Sequence, residues 1–239
     1  MESKIAALIK LKNHPVAVLQ DNTLPDHAIQ FKEGRKGCVI ALLSAASKGK
    51  ITAACRETAN CQGGKVGLGF QPFQLGEIEY FLSVGRKGGR SGEFYKESPK
   101  YAREYCTALP RIHAMPYVVF KPLDLTETSE TPKAVIFLVN ADQLSALVTL
   151  ANYDRSAQNH VHLEFGAGCA QSILYALSAE ENEKDFCYIG LTDPSARKYI
   201  QKELLSCSIP YHRFLEMETK ASDSFLTKET WARLSERLK

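Results

Sequence analysis

Residues 134–153 read Ala-Val-Ile-Phe-Leu-Val-Asn-Ala-Asp-Gln-Leu-Ser-Ala-Leu-Val-Thr-Leu-Ala-Asn-Tyr, and this stretch decides the fold. Ala134 to Val139 is an unbroken apolar run of strand length, rich in β-branched and aromatic residues. Ala141 to Tyr153 switches to helix-forming residues, with apolar positions recurring three and four apart. The same alternation continues downstream. His160 to Glu164 and Phe186 to Gly190 are predicted strands, and Cys169 to Leu177 and Ser195 to Leu205 are predicted helices. A last helix fits Lys228 to Leu238, with Thr227 as its N-cap.

Upstream, residues 1–12 have helical spacing, and Pro15 to Gln20 reads as a strand. Cys38 to Ser47 is apolar and helix-prone, and Gly49 ends it. Ile51 to Cys55 and Tyr117 to Lys121 read as strands, and Glu77 to Val84 and Pro99 to Leu109 as helices. This order predicts an α/β or α+β fold, a mixed sheet with flanking helices in one compact domain. Any internal division would fall near residues 123–133, where Thr, Glu, Ser and Pro cluster.

The composition is that of a globular protein: 239 residues, 44% hydrophobic and 24% charged. The formal net charge of +3 is too small and too evenly spread to make nucleic acid or an anionic membrane the default partner. The single basic loop, Arg86 to Arg90, has no interleaved aromatics. No apolar run approaches the roughly 20 residues of a membrane span. Met1-Glu-Ser-Lys-Ile does not open a signal peptide, so a cytoplasmic location is expected.

Seven cysteines, an odd number without a secretory signal, argue against a disulfide framework. No Cys-x-x-Cys or Cys-x-x-His pair occurs, so any cysteine site must be assembled from distant segments. Core filling accounts for any one cysteine taken alone. Three nevertheless share a setting: Gly37-Cys38, Cys61-Gln62-Gly63-Gly64 and Gly166-Ala167-Gly168-Cys169. Cys38 and Cys169 open helices directly after a glycine turn. A helix start offers free N–H groups and a partial positive charge, which stabilise a thiolate. Adjacent glycines allow a bulky anionic cofactor to approach the backbone. Three such cysteines suit an iron–sulfur cluster with one iron left for another ligand, or a mononuclear metal.

Cys55 is a candidate fourth ligand or reversible disulfide partner, although a buried strand position explains it more simply. Cys106, Cys187 and Cys207 lie in apolar segments and read as core or ordinary thiols. Gly63 to Gly69 reads as a turn-rich loop over the site, but it matches neither the P-loop nor the dinucleotide fingerprint. Arg35, Lys50, Arg56 and Glu57 flank these segments, and the cations would offset a cluster's negative charge. Thr192 to Lys198 reads as helix capping by Asp193 and Ser195. His160 and His162 share one strand face and are candidate haem ligands, although a half-exposed strand face accounts for them as well. No His-Glu-x-x-His or Gly-x-Ser-x-Gly signature is present.

Several of these segments together resemble the prokaryotic family called domain of unknown function 169, first described as archaeal and cysteine-rich. They are Gly34-Arg-Lys-Gly-Cys38, Ala45-Ala-Ser-Lys-Gly-Lys50, Arg56-Glu-Thr58 with Cys61-Gln-Gly-Gly64, and Gly67-Leu-Gly-Phe70. Asp142 to Leu147, Gly166-Ala-Gly-Cys169 and Thr192 to Lys198 continue the likeness, which runs from about residue 10 to the end. The resemblance implies cysteines at the positions of Cys38, Cys61 and Cys169, and oxygen-sensitive chemistry in anaerobic archaea and bacteria. It also implies a further cysteine in many relatives at a place held here by Leu191.

The leading expectation is therefore a four-iron cluster held by Cys38, Cys61 and Cys169, with Gly63, Gly64, Arg35 and Arg56 around it. Electron transfer to a redox partner or binding of a small-molecule ligand would follow, with or without assembly into a homo-oligomer. Two alternatives stay open. One is a haem or other tetrapyrrole carrier using His160, His162 or a cysteine. The other is a metal-free enzyme with Cys38 or Cys169 as a low-pKa nucleophile.

Overall fold

The computed structural model describes residues 1–32, 34, 37–85 and 91–238. Arg35 and the basic loop Arg86 to Arg90 lie outside the described residues. The strands are β1 (Val16–Asp21), β2 (Thr52–Cys55), β3 (Tyr117–Pro122), β4 (Ala134–Val139), β5 (Val161–His162), β6 (Cys187–Gly190) and β7 (Leu205–Pro210). They form one seven-stranded sheet in the order β2-β3-β1-β4-β7-β6-β5. Every pairing is antiparallel except β5 with β6. This is the mixed sheet with flanking helices that the sequence predicts.

The apolar run of β4 has its explanation in the layers above and below it. Ala134, Ile136 and Leu138 point into one core, and Val135, Phe137 and Val139 into the other. A strand covered on both faces has no solvent side and so needs no polar alternation. The first core lies under α2 (Val39–Ala46), α3 (Gln62–Gly67), and a π-helical segment Ala170–Leu174 that continues into α7 (Tyr175–Glu181). The second lies under α1 (Lys4–Leu8), α6 (Ala141–Ala151), α9 (Tyr211–Lys220) and α10 (Glu229–Ser235). Three shorter or peripheral helices complete the described residues: α4 (Ile78–Leu82), α5 (Pro99–Ala108) and α8 (Pro194–Arg197). Residues 123–133 connect β3 to β4, and β1 lies hydrogen-bonded between those two strands, so both halves of the chain share one sheet. Among the described residues no helix is long and apolar enough to cross a membrane.

Four local expectations are corrected. Residues 62–67 form helix α3 rather than a loop, because the glycines remove side chains where that helix meets its neighbours. The helix expected over Ser195 to Leu205 stops at Arg197, whose guanidinium binds the carbonyls of Leu191, Lys202 and Leu204 and folds the chain back on itself. Leu205–Pro210 is then a strand, β7, with Ser206 and Ser208 inside the protein. Those two hydroxyls are satisfied by Ser172 Oγ at 2.8 Å and Ser172 O at 2.7 Å. Finally, the last helix is capped at Lys228, because the Thr227 hydroxyl donates back to Ser222 and Ser224.

The second core holds a charge cluster. Arg213 is fully buried and donates to Asp154 at 2.5 Å, Glu216 at 2.7 Å and the Ala151 carbonyl at 3.0 Å. Arg155 joins Glu216 at 2.6 Å and Asp185 at 2.7 Å. Burial works against the Arg213 charge, but Asp154 and Glu216 outweigh it and hold the guanidinium above its ordinary value. The hydrogen bond from Arg213 in turn holds the Asp154 carboxyl below the usual range. Asp154→Ala is expected to cost about 1.5–3 kcal/mol in urea unfolding at pH 7, since it removes two charge-assisted hydrogen bonds from a buried cation and leaves it Glu216 and the Ala151 carbonyl. The wild-type contribution is complete above about pH 4, the ordinary aspartate value. It is lost as pH falls through the lowered folded-state value. The difference between wild type and variant should therefore shrink on acidification.

Candidate thiol site

Two of the three glycine-flanked cysteines start helices in the same way. Cys38 caps α2 at φ −95°, ψ 128°, and Cys61 caps α3 at φ −95°, ψ 125°. Both have extended backbone, and neither side chain closes a capping hydrogen bond. Each helix therefore starts beside a thiol rather than beside a serine or aspartate oxygen. Cys169 sits in the first helical turn before the π-helical segment. Such π-helical turns are rare and occur often at functional sites.

Glycines let the three segments meet. A Cβ on Gly67 would fall 2.4 Å from Cys169 Cβ and 2.9 Å from its carbonyl carbon. A Cβ on Gly64 would meet Val39 of α2 at 2.9 Å and Cys61 Cβ at 3.5 Å. Gly63 faces Ala167 and the Cys61 sulfur at 3.8 and 3.9 Å. Helix α3 thus carries Cys61 and packs on α2 beside Cys38 and on the turn that holds Cys169. Gly64 and Gly67 are occupied in bringing protein segments together, whereas Gly63 has room for a side chain.

The thiols act on one another. Burial pushes the Cys38 thiol up to about 11, and Cys61 and Asp193 add to the rise, against the N–H groups of Ile40 and Ala41. Burial pushes Cys169 well above its ordinary value, and Cys38, Cys61 and Asp193 add to it. Cys61 is exposed, Cys38 half-buried and Cys169 buried. The helix starts do favour the Cys38 thiolate, as expected, but loss of water outweighs them. A free nucleophile would need the opposite balance.

The turn before Cys169 is pinned from two sides. The Ala167 N–H donates to Tyr105 Oη at 3.1 Å, and the Gly168 N–H donates to Asp193 Oδ2 at 2.8 Å. Asp193 also accepts from Tyr95 Oη at 3.0 Å and from the N–H and hydroxyl of Ser195. Gln171, in the π-helical segment, donates to Thr192 Oγ1 at 2.7 Å and accepts from the Thr192 N–H at 3.0 Å. Between these anchors the buried Leu191 takes φ +62°, a left-handed conformation that costs a branched residue about 1–3 kcal/mol. A Cβ on Gly168 would lie 3.4 Å from Leu191 Cδ2, so this side chain borders the Cys169 turn. The capping role expected of Asp193 and Ser195 is present, and Asp193 has the additional task of holding Gly168. Tyr95 and Tyr105 had no local signal in the sequence.

Of the expected cations, Lys50 and Arg56 lie away from the thiols, and Arg35 lies outside the described residues. Lys50 follows the C-terminal end of α2, the far end from Cys38, roughly 12 Å away at 1.5 Å per residue. Arg56 lines a separate cleft with Gly69 and Phe70. Cys55 is buried in β2, with its sulfur 3.3 Å from Thr58 Oγ1. All seven cysteines are free thiols, and Cys106, Cys187 and Cys207 are buried, as read. His160 and His162 lie at the edge strand β5 beside Phe186. His162 packs on Phe186 at 4.4 Å between ring centres, and its Nε2 is 3.0 Å from the Asn159 carbonyl. His160 faces Asp185 at 3.6 Å.

No curated protein and no solved structure matches the chain. The profile of domain of unknown function 169, described as Uncharacterised ArCR, matches residues 4–220, the span that carries all three thiols and the whole sheet, and the chain belongs to this family.

Proposed function

We propose that this protein binds an iron–sulfur cluster of the four-iron kind through Cys38, Cys61 and Cys169. The observation that supports the reading is that three cysteine-bearing segments, more than twenty residues apart, pack on one another near the starts of their helices. A single ion needs all its ligand atoms at about 2.0–2.3 Å from one point. Among the described residues no group of three His, Cys, Asp or Glu is arranged to do that. When bound, a cluster supplies one-electron transfer, or a coordination position at an iron that no protein sulfur holds.

The chain's own contribution is electrostatic and steric. N–H groups at the start of α2 face the Cys38 sulfur and offset thiolate charge. Burial of Cys169 excludes water from one side. The metal itself must displace protons from thiols that burial keeps protonated.

Thiol footprinting tests the reading. In metal-free protein, iodoacetamide is expected to reach Cys61 first and Cys38 slowly, with the Cys38 rate climbing as pH rises toward about 11. Cys169 should scarcely react. After anaerobic reconstitution with iron and sulfide, all three should become protected together, with Cys55 unchanged. Protection of none of them, or of Cys61 alone, would overturn the assignment.

A further inference from the structure

Away from the thiols, a cleft of about 380 Å³ opens between the segment after α3 and the segment after α5. Phe70, Phe73, Leu109 and Ile112 supply apolar walls, and Arg56 and Arg111 supply the charge. No carboxylate is among the described residues that line it. Neither guanidinium forms a salt bridge with a described residue. Glu57 lies in an adjoining cavity of about 330 Å³ that shares Arg56 and Phe70. Glu57 acts on Arg56 from outside the cleft, and no described carboxylate lines the cleft itself, so the charge presented to a ligand there is positive. The size is that of a small-molecule site.

We propose that this cleft binds a small organic anion, a carboxylate carried on an apolar body. A guanidinium pairs with a carboxylate through two parallel N–H bonds, and two of them at one cleft fix both position and sign. The apolar walls take the rest of the molecule. Phe70, Phe73, Leu109 and Ile112 favour a ligand with an apolar body over one that is polar throughout. None of Cys38, Cys61 and Cys169 lines the cleft, so the proposal stands independently of the cluster.

The test is calorimetric titration of the metal-free full-length protein with 4-phenylbutyrate, 4-phenyl-1-butanol and inorganic phosphate. Nitrogen–proton correlation spectra would locate each ligand. The expected result is one site for 4-phenylbutyrate, with shifts at residues 69–75 and 109–114. Binding should weaken at least tenfold for the alcohol, for phosphate, and in each of Arg56→Ala and Arg111→Ala. Both arginines are exposed, so these variants keep the fold. Leu75→Asp, an exposed change on the same wall, should weaken binding as well. Equal binding of the alcohol, phosphate as strong as the carboxylate, or arginine variants that bind like wild type would each overturn the proposal. So would no 4-phenylbutyrate binding at all.

Discussion

Cys61→Ser is expected to strip the anaerobically prepared protein of its iron and sulfide while leaving the fold intact. Cys61 is exposed at the start of α3, so nothing packed is disturbed when its sulfur becomes oxygen. Cys38→Ser and Cys169→Ser should lose the cluster too. Cys169 is buried against Gly67, so its variant carries a folding cost that Cys61→Ser does not. Cys55→Ser serves as the contrast. Its sulfur lies by Thr58 in β2, and iron content should stay at the wild-type level. Iron and sulfide measured per chain, with circular dichroism on each variant, separate loss of a ligand from loss of the fold. Retention of wild-type iron in Cys61→Ser would remove Cys61 from the site.

The second large effect belongs to a residue without a side chain. Gly67→Ala places a Cβ 2.4 Å from Cys169 Cβ and within 2.9 Å of backbone, where no rotamer change can relieve it. Alanine in a helix gains about 1 kcal/mol over glycine. Forcing an atom into a filled contact costs about 1–3 kcal/mol, and more where backbone is the obstacle. The balance is destabilising, and α3 must move away from Cys169. Gly63→Ala meets its nearest atoms at 3.8 and 3.9 Å and should be neutral or up to about 1 kcal/mol stabilising. Gly67→Ala should melt below the wild type and Gly63→Ala at or above it, and only Gly67→Ala should lose iron. Equal melting temperatures for both would mean that α3 is not packed on the Cys169 turn as described.

These two residues mark how much of the molecule could be read from its chain. Strand β4 was plain because both its faces are apolar, and a continuous hydrophobic run has few alternatives. Strand β7 was not. Its inward positions hold Ser206 and Ser208, whose burial depends on Ser172 from a distant helical segment, and that partner cannot be seen locally. The three cysteines stood out because each lies beside glycine. The glycines read locally as a loop, since propensity argues against a helix with so many. What decides α3 is close packing on Val39 and Cys169, a tertiary reward that outweighs a local preference. The charge balance at the thiols was also invisible. Arg56 and Lys50 are near in sequence yet face elsewhere, and Asp193, which looked like a cap alone, lies close enough to raise the Cys38 and Cys169 thiols.

The most direct measurement is the ultraviolet–visible spectrum of the anaerobically purified protein, reconstituted if colourless, with iron and acid-labile sulfide determined per chain. A broad absorption around 400 nm with iron and sulfide in matching amounts is the expected result for cysteine-held iron–sulfur. A protein that stays colourless and iron-free after reconstitution, or one that holds iron without sulfide, would contradict the account.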